Sequence, residues 1–309
     1  MASRQTLPRH DGRGEPIVPP EPATVDLHTH TLRSDGKLSP AALVTAAYDA
    51  GVRLLAITDH DNLAAVREVR HELPNGLELV PGVEINAVLP PGRGAGNGEL
   101  HVLGLGVDAD DDAFEAILAV QRDERRARFE RMLSGLRAQG LDLSPELDAL
   151  PPTTDEDSLG RPRIARAMIA RGVATSIDDA FERWLSPGRP AYVARVGLGP
   201  AEAVRAIVAA GGLAALAHVA DAADRIAEIE ELQDAGLRGL EVHHRSFDLP
   251  TVTSVASVAE ELRLVPTGGT DYHGDAGSYA ESHAGLWVPA AVGAAVRAAL
   301  GAAASVPGR

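Results

Sequence analysis

Short apolar runs alternate with amphipathic segments over residues 24–108 and again from about residue 199 onward. The apolar runs, which we predict as strands, read ATVDLH, RLLAITDH, LELVPGVEI, LHVLGLGVD, LAALAHV, LRGLEVHH and RLVPTGGTDYH. Most of them are separated by segments with a helical period of about 3.6 residues. Almost entirely apolar strands that alternate with helices are typical of a parallel sheet covered by helices.

The segment SPAALVTAAYDAG, between the first two strands, carries signals for both ends of a helix. Ser39 is a suitable N-cap, Pro40 fits the first helical position and Gly51 fits the C-terminal cap. The later segment GPAEAVRAIVAAGG also opens with Pro and closes with Gly. These signals predict repeated strand–helix units, but they do not distinguish an open sheet from a closed barrel.

Residues 109–197 break this alternation and contain no convincing strand. The long segment DDAFEAILAVQRDERRARFERMLSGLRAQG is helical in pattern and dense in Arg and Glu, and two shorter helical segments follow it. We predict a helical insertion domain over 109–197 that interrupts a domain formed by 24–108 and 198–300. Residues 1–23 are rich in Pro, Gly and polar residues, which predicts a disordered leader.

The composition limits the chemistry that is available. The chain has 309 residues, enough for one large α/β domain, and its core must be mostly aliphatic because aromatic residues make up only 3%. It has no cysteine, which excludes disulfides, thiolate metal sites and a cysteine nucleophile. The leader lacks the apolar stretch of a secretory signal and no run is long enough to span a membrane, so we expect a cytoplasmic protein.

The formal net charge of −15 argues against stable binding to a nucleic-acid backbone, which needs a basic surface. It does not exclude small phosphorylated substrates, because bound divalent cations can reverse the charge inside a pocket.

Candidate metal ligands follow the predicted strands. His28 and His30 are two residues apart and therefore share one face of a strand, and Asp271 and His273 repeat this spacing near the last strand. In α/β architectures, ligands bind at the carboxyl ends of the strands. The complete set of candidates is His28, His30, Asp35, His60, Glu84, His101, His218, Asp271 and His273.

Nine ligands are too many for one ion and suit two or three divalent ions that share a bridging carboxylate. Burying so many ionisable groups without a metal would cost several kcal/mol each. Nitrogen and oxygen ligands are compatible with Mn²⁺, Zn²⁺ or Fe²⁺, and the residues alone do not choose among these ions.

The motifs DLHTHTLRSDG, AITDHD, PGVEI, HVLGLG, AHV, LEVHH and GGTDYHG occur in this order over residues 24–300. Together they resemble the PHP family, the polymerase and histidinol phosphatase phosphoesterases. The resemblance is closest to the branch whose helical insertion carries GRP, which contains nucleoside 3′,5′-bisphosphate phosphatases that also trim short RNA from its 5′ end. It implies an α/β fold, a distorted (β/α)7 barrel with a helical insertion and a trinuclear metal site.

The resemblance also sorts the ligands. One ion would take His28, His30, Glu84 and Asp271, a second would share Glu84 and add His101 and His218, and a third would take Asp35, His60 and His273. Glu84, His218 and Asp271 are the candidate catalytic residues. Asp26 shares the strand face of His28 and is expected to accept a ring N–H, which would fix the tautomer of a ligand.

The implied function is hydrolysis of nucleotide phosphate monoesters, with the 3′-phosphate of nucleoside 3′,5′-bisphosphates as the expected target, by a metal-activated hydroxide. We expect Arg161 and Arg189, in the GRP and PGRP segments of the insertion, to bind a second phosphate, and His244 to contact the substrate. The expected partners are a small phosphorylated nucleotide and, as a second substrate, short single-stranded RNA.

Two alternatives remain open at this point. One is a histidinol-phosphate-type phosphatase, and the other is an amidohydrolase-like metallohydrolase, whose two ions are commonly bridged by a carboxylated lysine. The only lysine of the chain, Lys37, lies in the loop after the first strand, where such a bridge is not expected. The chain also departs from the branch at Arg163 and Phe247, where His is common, and at Val219, where Pro is common.

Overall fold

The computed structural model describes residues 22–90 and 98–304. Most of the predicted leader lies outside the described residues, but Ala23, at its end, is buried in the core. Seven strands form one sheet in chain order. They are β1 (Val25–Asp26), β2 (Leu54–Ile57), β3 (Glu78–Val88), β4 (Glu99–Leu105), β5 (Leu213–Leu216), β6 (Gly239–His244) and β7 (Val265–Gly269).

The sheet is mixed, which corrects the expectation of a parallel sheet. Strands β1 to β3 are mutually parallel, as are β5 to β7, but β4 is antiparallel to both of its neighbours. No described helix lies between β3 and β4, and a parallel pair would need a long crossover connection. The segment between Val88 and Glu99 is too short for such a crossover, so the pair is antiparallel.

The two ends of the sheet meet and form a nearly closed barrel. The Leu27 amide donates to the carbonyl of Gly268 at 3.0 Å, and the Asp271 amide donates to the carbonyl of His28 at 2.8 Å. The expected distorted seven-stranded barrel is thus confirmed. Its closure brings the segment after β1 next to the segment after β7.

The helices of the described residues mostly begin and end where the sequence signals lie. Ser39 caps α1 by accepting from the Ala42 amide, Pro40 is its first residue, and Gly51 follows it with φ of +99°. The helices are α1 (Pro40–Asp49), α2 (Ala64–Val69), α3 (Asp112–Ala138), α4 (Ser144–Asp148), α5 (Arg161–Ala170), α6 (Ile177–Ala180), α7 (Pro200–Ala209), α8 (Ile226–Asp234), α9 (Leu249–Glu261), α10 (Tyr279–Ala284) and α11 (Ala290–Ala304), with a π-helical turn at Phe181–Leu185 and a 3₁₀ turn at Ala222–Arg225.

Alternate residues of the strands enter two separate hydrophobic clusters. In β2, Leu54 and Ala56 join a cluster completed by α11, whereas Leu55 and Ile57 join a larger cluster with α1 and α2. This division follows from the two-residue period of a strand.

The predicted insertion, 109–197, contains α3 to α6 and has a hydrophobic cluster of its own. It contacts the barrel beside the loop after β1, where the Ser158 amide donates to the carbonyl of Arg33 at 2.9 Å. The side-chain amide of Asn62 donates at 2.8 Å to both Arg33 and Glu156. The division into domains at 109 and 197 stays a prediction. Of the described helices, none has the length and apolarity needed to cross a bilayer.

Candidate metal centre

The nine predicted ligands converge at one edge of the barrel, where they face the insertion. The ligand atoms form three groups, and within each group all of them lie within 4.8 Å of one another. They are His30, Asp35, His60 and His273; His28, His30 and Asp271; and Glu84, His101 and His218. The antiparallel direction of β4 explains the position of His101, because the start of β4 lies beside the end of β3.

Glu84 lies at the centre of the cluster and is almost completely buried. Its Oε2 atom is 3.2 Å from His30 Nε2 and 3.0 Å from His60 Nδ1. Its Oε1 atom is 2.7 Å from His101 Nδ1 and 3.2 Å from His218 Nε2. The two carboxylate oxygens thus face different groups of histidines, which is the arrangement required of a bridging ligand.

Several polar atoms of the cluster are buried with no hydrogen-bond partner among the described residues. They are His28 Nε2, both ring nitrogens of His30, His60 Nδ1 and Glu84 Oε2. Ligands about 2.1 Å from one ion lie about 3.0–3.4 Å from each other. Glu84 Oε2 is 3.0–3.4 Å from the nearest ring nitrogens of these histidines. The residues present therefore fit divalent metal ions.

The electrostatics of the cluster also favour cations. Burial alone would lower the pKa of His60, but the Asp35 and Glu84 carboxylates raise it to about 10. Burial alone would also lower the pKa of His273, but the carboxylates of Asp35 and Asp271 raise it to about 9. A divalent ion that binds here must displace protons from such rings, so binding releases protons.

Glu241, which we did not single out from the sequence, orients two of the ligands. Its carboxylate is fully buried, lies 3.1 Å from His28 Nδ1 and accepts from the His218 backbone amide at 2.7 Å. A carboxylate on Nδ1 leaves Nε2 of His28 facing the cluster. The available signal was an acidic residue within the otherwise apolar run GLEV.

Asp26 was expected to hold a ring N–H, and the structure corrects this detail. Its carboxylate accepts from the Thr270 amide and hydroxyl at 2.9 and 2.7 Å and from the Tyr279 hydroxyl at 2.7 Å. It also accepts from the His28 backbone amide at 3.3 Å, but not from a histidine ring. Asp26 therefore connects the backbone at His28 to the backbone at Thr270 and stabilises the segments that carry the ligands.

The backbone is strained at three positions of the site. Asp61, His218 and Asp271 have φ of +50°, +43° and +48°, in the left-handed region that non-glycine residues seldom adopt. Such residues cost about 1–3 kcal/mol each and are concentrated at functional sites. Gly269 allows a close approach nearby, since a Cβ atom there would lie 2.5 Å from the Cβ atom of His28.

A cavity of about 250 Å³ separates the ligands from the insertion. Four arginines line it, which we call the arginine cluster: Arg125, Arg128, Arg161 and Arg195. Only Arg161 among them was predicted from the sequence, because an arginine in an amphipathic helix such as α3 resembles a solvated residue. The cluster gives the cavity a cationic wall in a chain whose net charge is −15.

Two carboxylates hold the arginine cluster in place. Asp61 Oδ2 accepts from Arg125 Nε at 2.5 Å and from Arg195 Nη2 at 2.8 Å. Glu99 Oε1 lies at the longer distances of 3.3 Å from Arg128 Nη1 and 3.5 Å from Arg161 Nη2. Burial and the neighbouring guanidinium of Arg161 lower the pKa of Arg128 to about 10, so Arg128 still carries its charge at neutral pH.

The three residues expected to bind substrate are placed differently. Arg161 lines the cavity, with its guanidinium 5.0 Å from the centre of the Phe181 ring. Arg189 is exposed in a turn, where its amide donates to Ser186, and it does not line the cavity, so the structure contradicts its predicted role. His244 lies beside the cluster, with Nε2 3.5 Å from Asp271 Oδ2.

The departures from the branch pattern remove none of the candidate ligands. Arg163 donates to the carbonyls of Leu147 and Pro151 within the insertion, at 3.4 and 3.0 Å. Val219 is buried in the hydrophobic core, and the Phe247 ring packs 5.2 Å from the ring of His244.

Lys37 does not occupy a bridging position. Its ammonium pairs with Asp275 at 2.8 Å and is half exposed. Lys37 therefore does not supply a carboxylated bridge, which disfavours the amidohydrolase-like alternative.

Comparison with known proteins places this geometry in a family. A model of the PHP domain matches residues 26–141. The 5′-3′ exoribonuclease Rnm of Escherichia coli (strain K12) is 32% identical over 274 residues, which cover 86% of this chain and 90% of that protein. The 3′,5′-nucleoside bisphosphate phosphatase of Chromobacterium violaceum is 30% identical over 256 residues, which cover 81% of this chain and 87% of that protein.

A solved structure agrees with both relatives. A protein of Bifidobacterium adolescentis, described as a metal-dependent phosphoesterase, superposes with a TM-score of 0.76 at 27% identity and covers 90% of this chain and 97% of its own. The motifs, the mixed seven-stranded barrel and these similarities lead to one conclusion. The chain belongs to the PHP family of metal-dependent phosphoesterases.

Proposed function

We propose that this phosphoesterase removes one phosphate from nucleotides that carry two, with nucleoside 3′,5′-bisphosphates as preferred substrates and short 5′-phosphorylated RNA as a second substrate. The observation that carries the proposal is the presence, in one cavity, of the histidine–carboxylate cluster and the arginine cluster. The first suits the phosphate that is cleaved and the second suits a phosphate that is retained.

The histidine–carboxylate cluster would hold two or three divalent ions, with Mn²⁺ favoured. His28, His30 and Asp271 would hold one, His101 and His218 a second, and Asp35, His60 and His273 a third, with Glu84 bridging the first two. Divalent ions in this setting supply a hydroxide nucleophile near neutral pH and neutralise charge on the phosphoryl oxygens. No nucleophilic side chain is then required, in agreement with the absence of cysteine.

The residues of the chain would provide orientation and charge. Glu241 turns His28 toward the cluster, and Glu84 keeps five histidine rings around one carboxylate. The insertion covers the cavity and reduces its contact with water, which strengthens the electrostatic attraction of a phosphate to the arginine cluster.

Within the arginine cluster, Arg128 and Arg161 are the better candidates for binding the retained phosphate. Their contacts with Glu99 are long, at 3.3 and 3.5 Å, whereas Arg125 and Arg195 approach Asp61 to 2.5 and 2.8 Å. Arg128 Nη2 is also buried without a hydrogen-bond partner among the described residues. Guanidinium groups bind phosphate oxygens in a forked geometry that suits this role.

The names of the two relatives support the same substrate class. One is named for 3′,5′-nucleoside bisphosphates and the other for RNA, and both classes of molecule carry more than one phosphate. Histidinol phosphate carries a single phosphate and would leave the arginine cluster without a ligand, so we rank it lower.

Purified protein supplied with Mn²⁺ should be assayed against adenosine 3′,5′-bisphosphate, AMP, histidinol phosphate and a short 5′-phosphorylated RNA. We expect the highest kcat/KM with the bisphosphate, slower release of nucleotides from the RNA, and the lowest values with AMP and histidinol phosphate. A preference for histidinol phosphate or AMP over the bisphosphate would contradict the proposal.

A further inference from the structure

Arg166, in α5 of the insertion, contacts two loops of the barrel at once. Its Nη2 atom donates to the backbone carbonyl of Asp35 at 2.5 Å. The same guanidinium makes a forked contact with Asp275, from Nε to Oδ1 at 3.0 Å and from Nη2 to Oδ2 at 2.5 Å. The ammonium of Lys37 adds a second cation to Asp275 at 2.8 Å.

Both loops carry candidate ligands of the same ion. Asp35 lies in the first loop, and His273 precedes Asp275 by two residues in the second. Together with His60 they form one ligand group, in which Asp35 Oδ1 lies 3.2 Å from His273 Nε2 and Asp35 Oδ2 lies 3.5 Å from His60 Nε2. One side chain of the insertion therefore connects two of the three segments that build this group.

The backbone pairing of the barrel ends at Tyr272 in the second loop, so no described hydrogen bond of the sheet holds Asp35 or His273 itself. Asp35 follows β1 by nine residues, in a turn that closes on Thr31, and the second loop lies after the end of β7. Gly274 and Gly277 in the second loop have φ of +83° and +143°. The forked contact of a mostly buried guanidinium is thus well placed to fix the distance between Asp35 and His273.

We propose that Arg166 is a positioning residue that couples docking of the insertion to occupancy of the ion site formed by Asp35, His60 and His273. This inference rests on the proposed metal centre and deepens it, because it makes one ion dependent on a residue outside the barrel. By thermodynamic linkage, filling of that site and docking of α5 stabilise each other.

Arg166→Gln should be compared with Arg171→Gln. Arg171 lies directly after α5 and pairs with Glu146 at 3.0 Å, within the insertion, so it is a matched control that does not touch the barrel. Mn²⁺ binding should be measured by equilibrium dialysis with elemental analysis, and folding by thermal denaturation. We expect Arg166→Gln to bind one Mn²⁺ per chain about 10- to 100-fold more weakly, with the remaining Mn²⁺ and the control unaffected.

Asp275→Asn provides a second variant, because it removes the carboxylate that receives the fork and leaves Arg166 in place. It should weaken the same single Mn²⁺ equivalent. Unchanged Mn²⁺ binding by Arg166→Gln, or an equal loss of every equivalent, would overturn the proposal while leaving the metal centre intact. Wild-type protein that binds no Mn²⁺ would instead overturn the proposed function and this inference with it, so the two failures are distinguishable.

Discussion

Glu84 Oε1 and His101 Nδ1 lie 2.7 Å apart across strands β3 and β4, which run antiparallel. Glu84 pairs with Leu103 and His101 pairs with Asn86 in the register, so the two side chains are diagonal neighbours on one face. In this position, Glu84 contacts His101 and His218 through one carboxylate oxygen and His30 and His60 through the other.

Glu84→Gln should retain the fold and lose about 10²-fold or more in kcat. An amide cannot serve as a negatively charged bridge between two ions, so the loss falls on generation of the nucleophile. The measurement is steady-state kinetics with circular dichroism as the control for folding. Turnover close to that of the wild type would show that Glu84 is only a buried polar residue.

Metal removal should abolish activity reversibly. Elemental analysis of the protein is expected to find more than one equivalent of divalent transition metal per chain, because the ligand atoms divide into three groups. Dialysis against EDTA should stop hydrolysis and added Mn²⁺ should restore it. Full activity in excess EDTA after dialysis would contradict a metal-dependent mechanism.

Arg161→Ala should affect substrates with two phosphates selectively. Loss of a buried charge-assisted contact costs about 2–4 kcal/mol, or about 30- to 1000-fold in kcat/KM. The comparison is between adenosine 3′,5′-bisphosphate and p-nitrophenyl phosphate, which carries only the phosphate that is cleaved. Arg128→Ala should behave in the same way.

Arg189→Ala is the matched control for these variants, because Arg189 is an exposed arginine of the same insertion. It should retain wild-type kcat/KM on both substrates. Equal losses on both substrates for Arg161→Ala, or no loss on either, would exclude the arginine cluster as the site of the second phosphate.

We expect Glu241→Gln and Asp26→Asn to have different effects, because Glu241 orients a metal ligand whereas Asp26 supports the backbone. Glu241 contacts the His28 ring, so its substitution should weaken Mn²⁺ binding about 10- to 100-fold. Asp26 accepts bonds from Thr270 and Tyr279, so Asp26→Asn should mainly lower the melting temperature. Isothermal titration and thermal denaturation of both variants test this division, which fails if the two variants lose Mn²⁺ affinity equally.

The metal-free protein should lose stability at alkaline pH. Its His60 and His273 pKa values, about 10 and about 9, lie above the ordinary value of 6.5. The stability that their protonated rings contribute is complete below about pH 6.5 and is lost as the pH rises through 9 and 10. The melting temperature of EDTA-dialysed protein should therefore fall over this range, and His273→Gln should show a smaller fall. A constant melting temperature in the wild type would contradict the prediction.

The strand–helix units and the nine candidate ligands could be predicted because both depend on local signals, whereas the closed barrel was implied only by the resemblance to the PHP family. Ser39, Pro40 and Gly51 mark α1 through their own conformational preferences, and the spacing of His28 and His30 follows from the strand period. Comparison with relatives then confirmed the family and the phosphoesterase chemistry. The ligand assignments themselves stay proposals.

What the sequence could not predict depends on contacts between distant segments. The antiparallel direction of β4 is set by its connection and its partners rather than by its composition. Arg125 and Arg195 become part of the cavity only because Asp61, 64 and 134 residues away in sequence, pairs with both of them. Arg189 looked equivalent to Arg161 in its GRP context, yet only tertiary packing directs Arg161 inward.

The position of Glu99 has a consequence for product release. Under the proposed function, a phosphate bound by Arg128 and Arg161 would compete with Glu99, whose carboxylate lies 3.3 and 3.5 Å from these guanidiniums. Once the product leaves, Glu99 would again be the anion that faces both guanidiniums, so neither would remain an unpaired buried charge. We expect this internal anion to weaken retention of the nucleotide product and so to limit product inhibition.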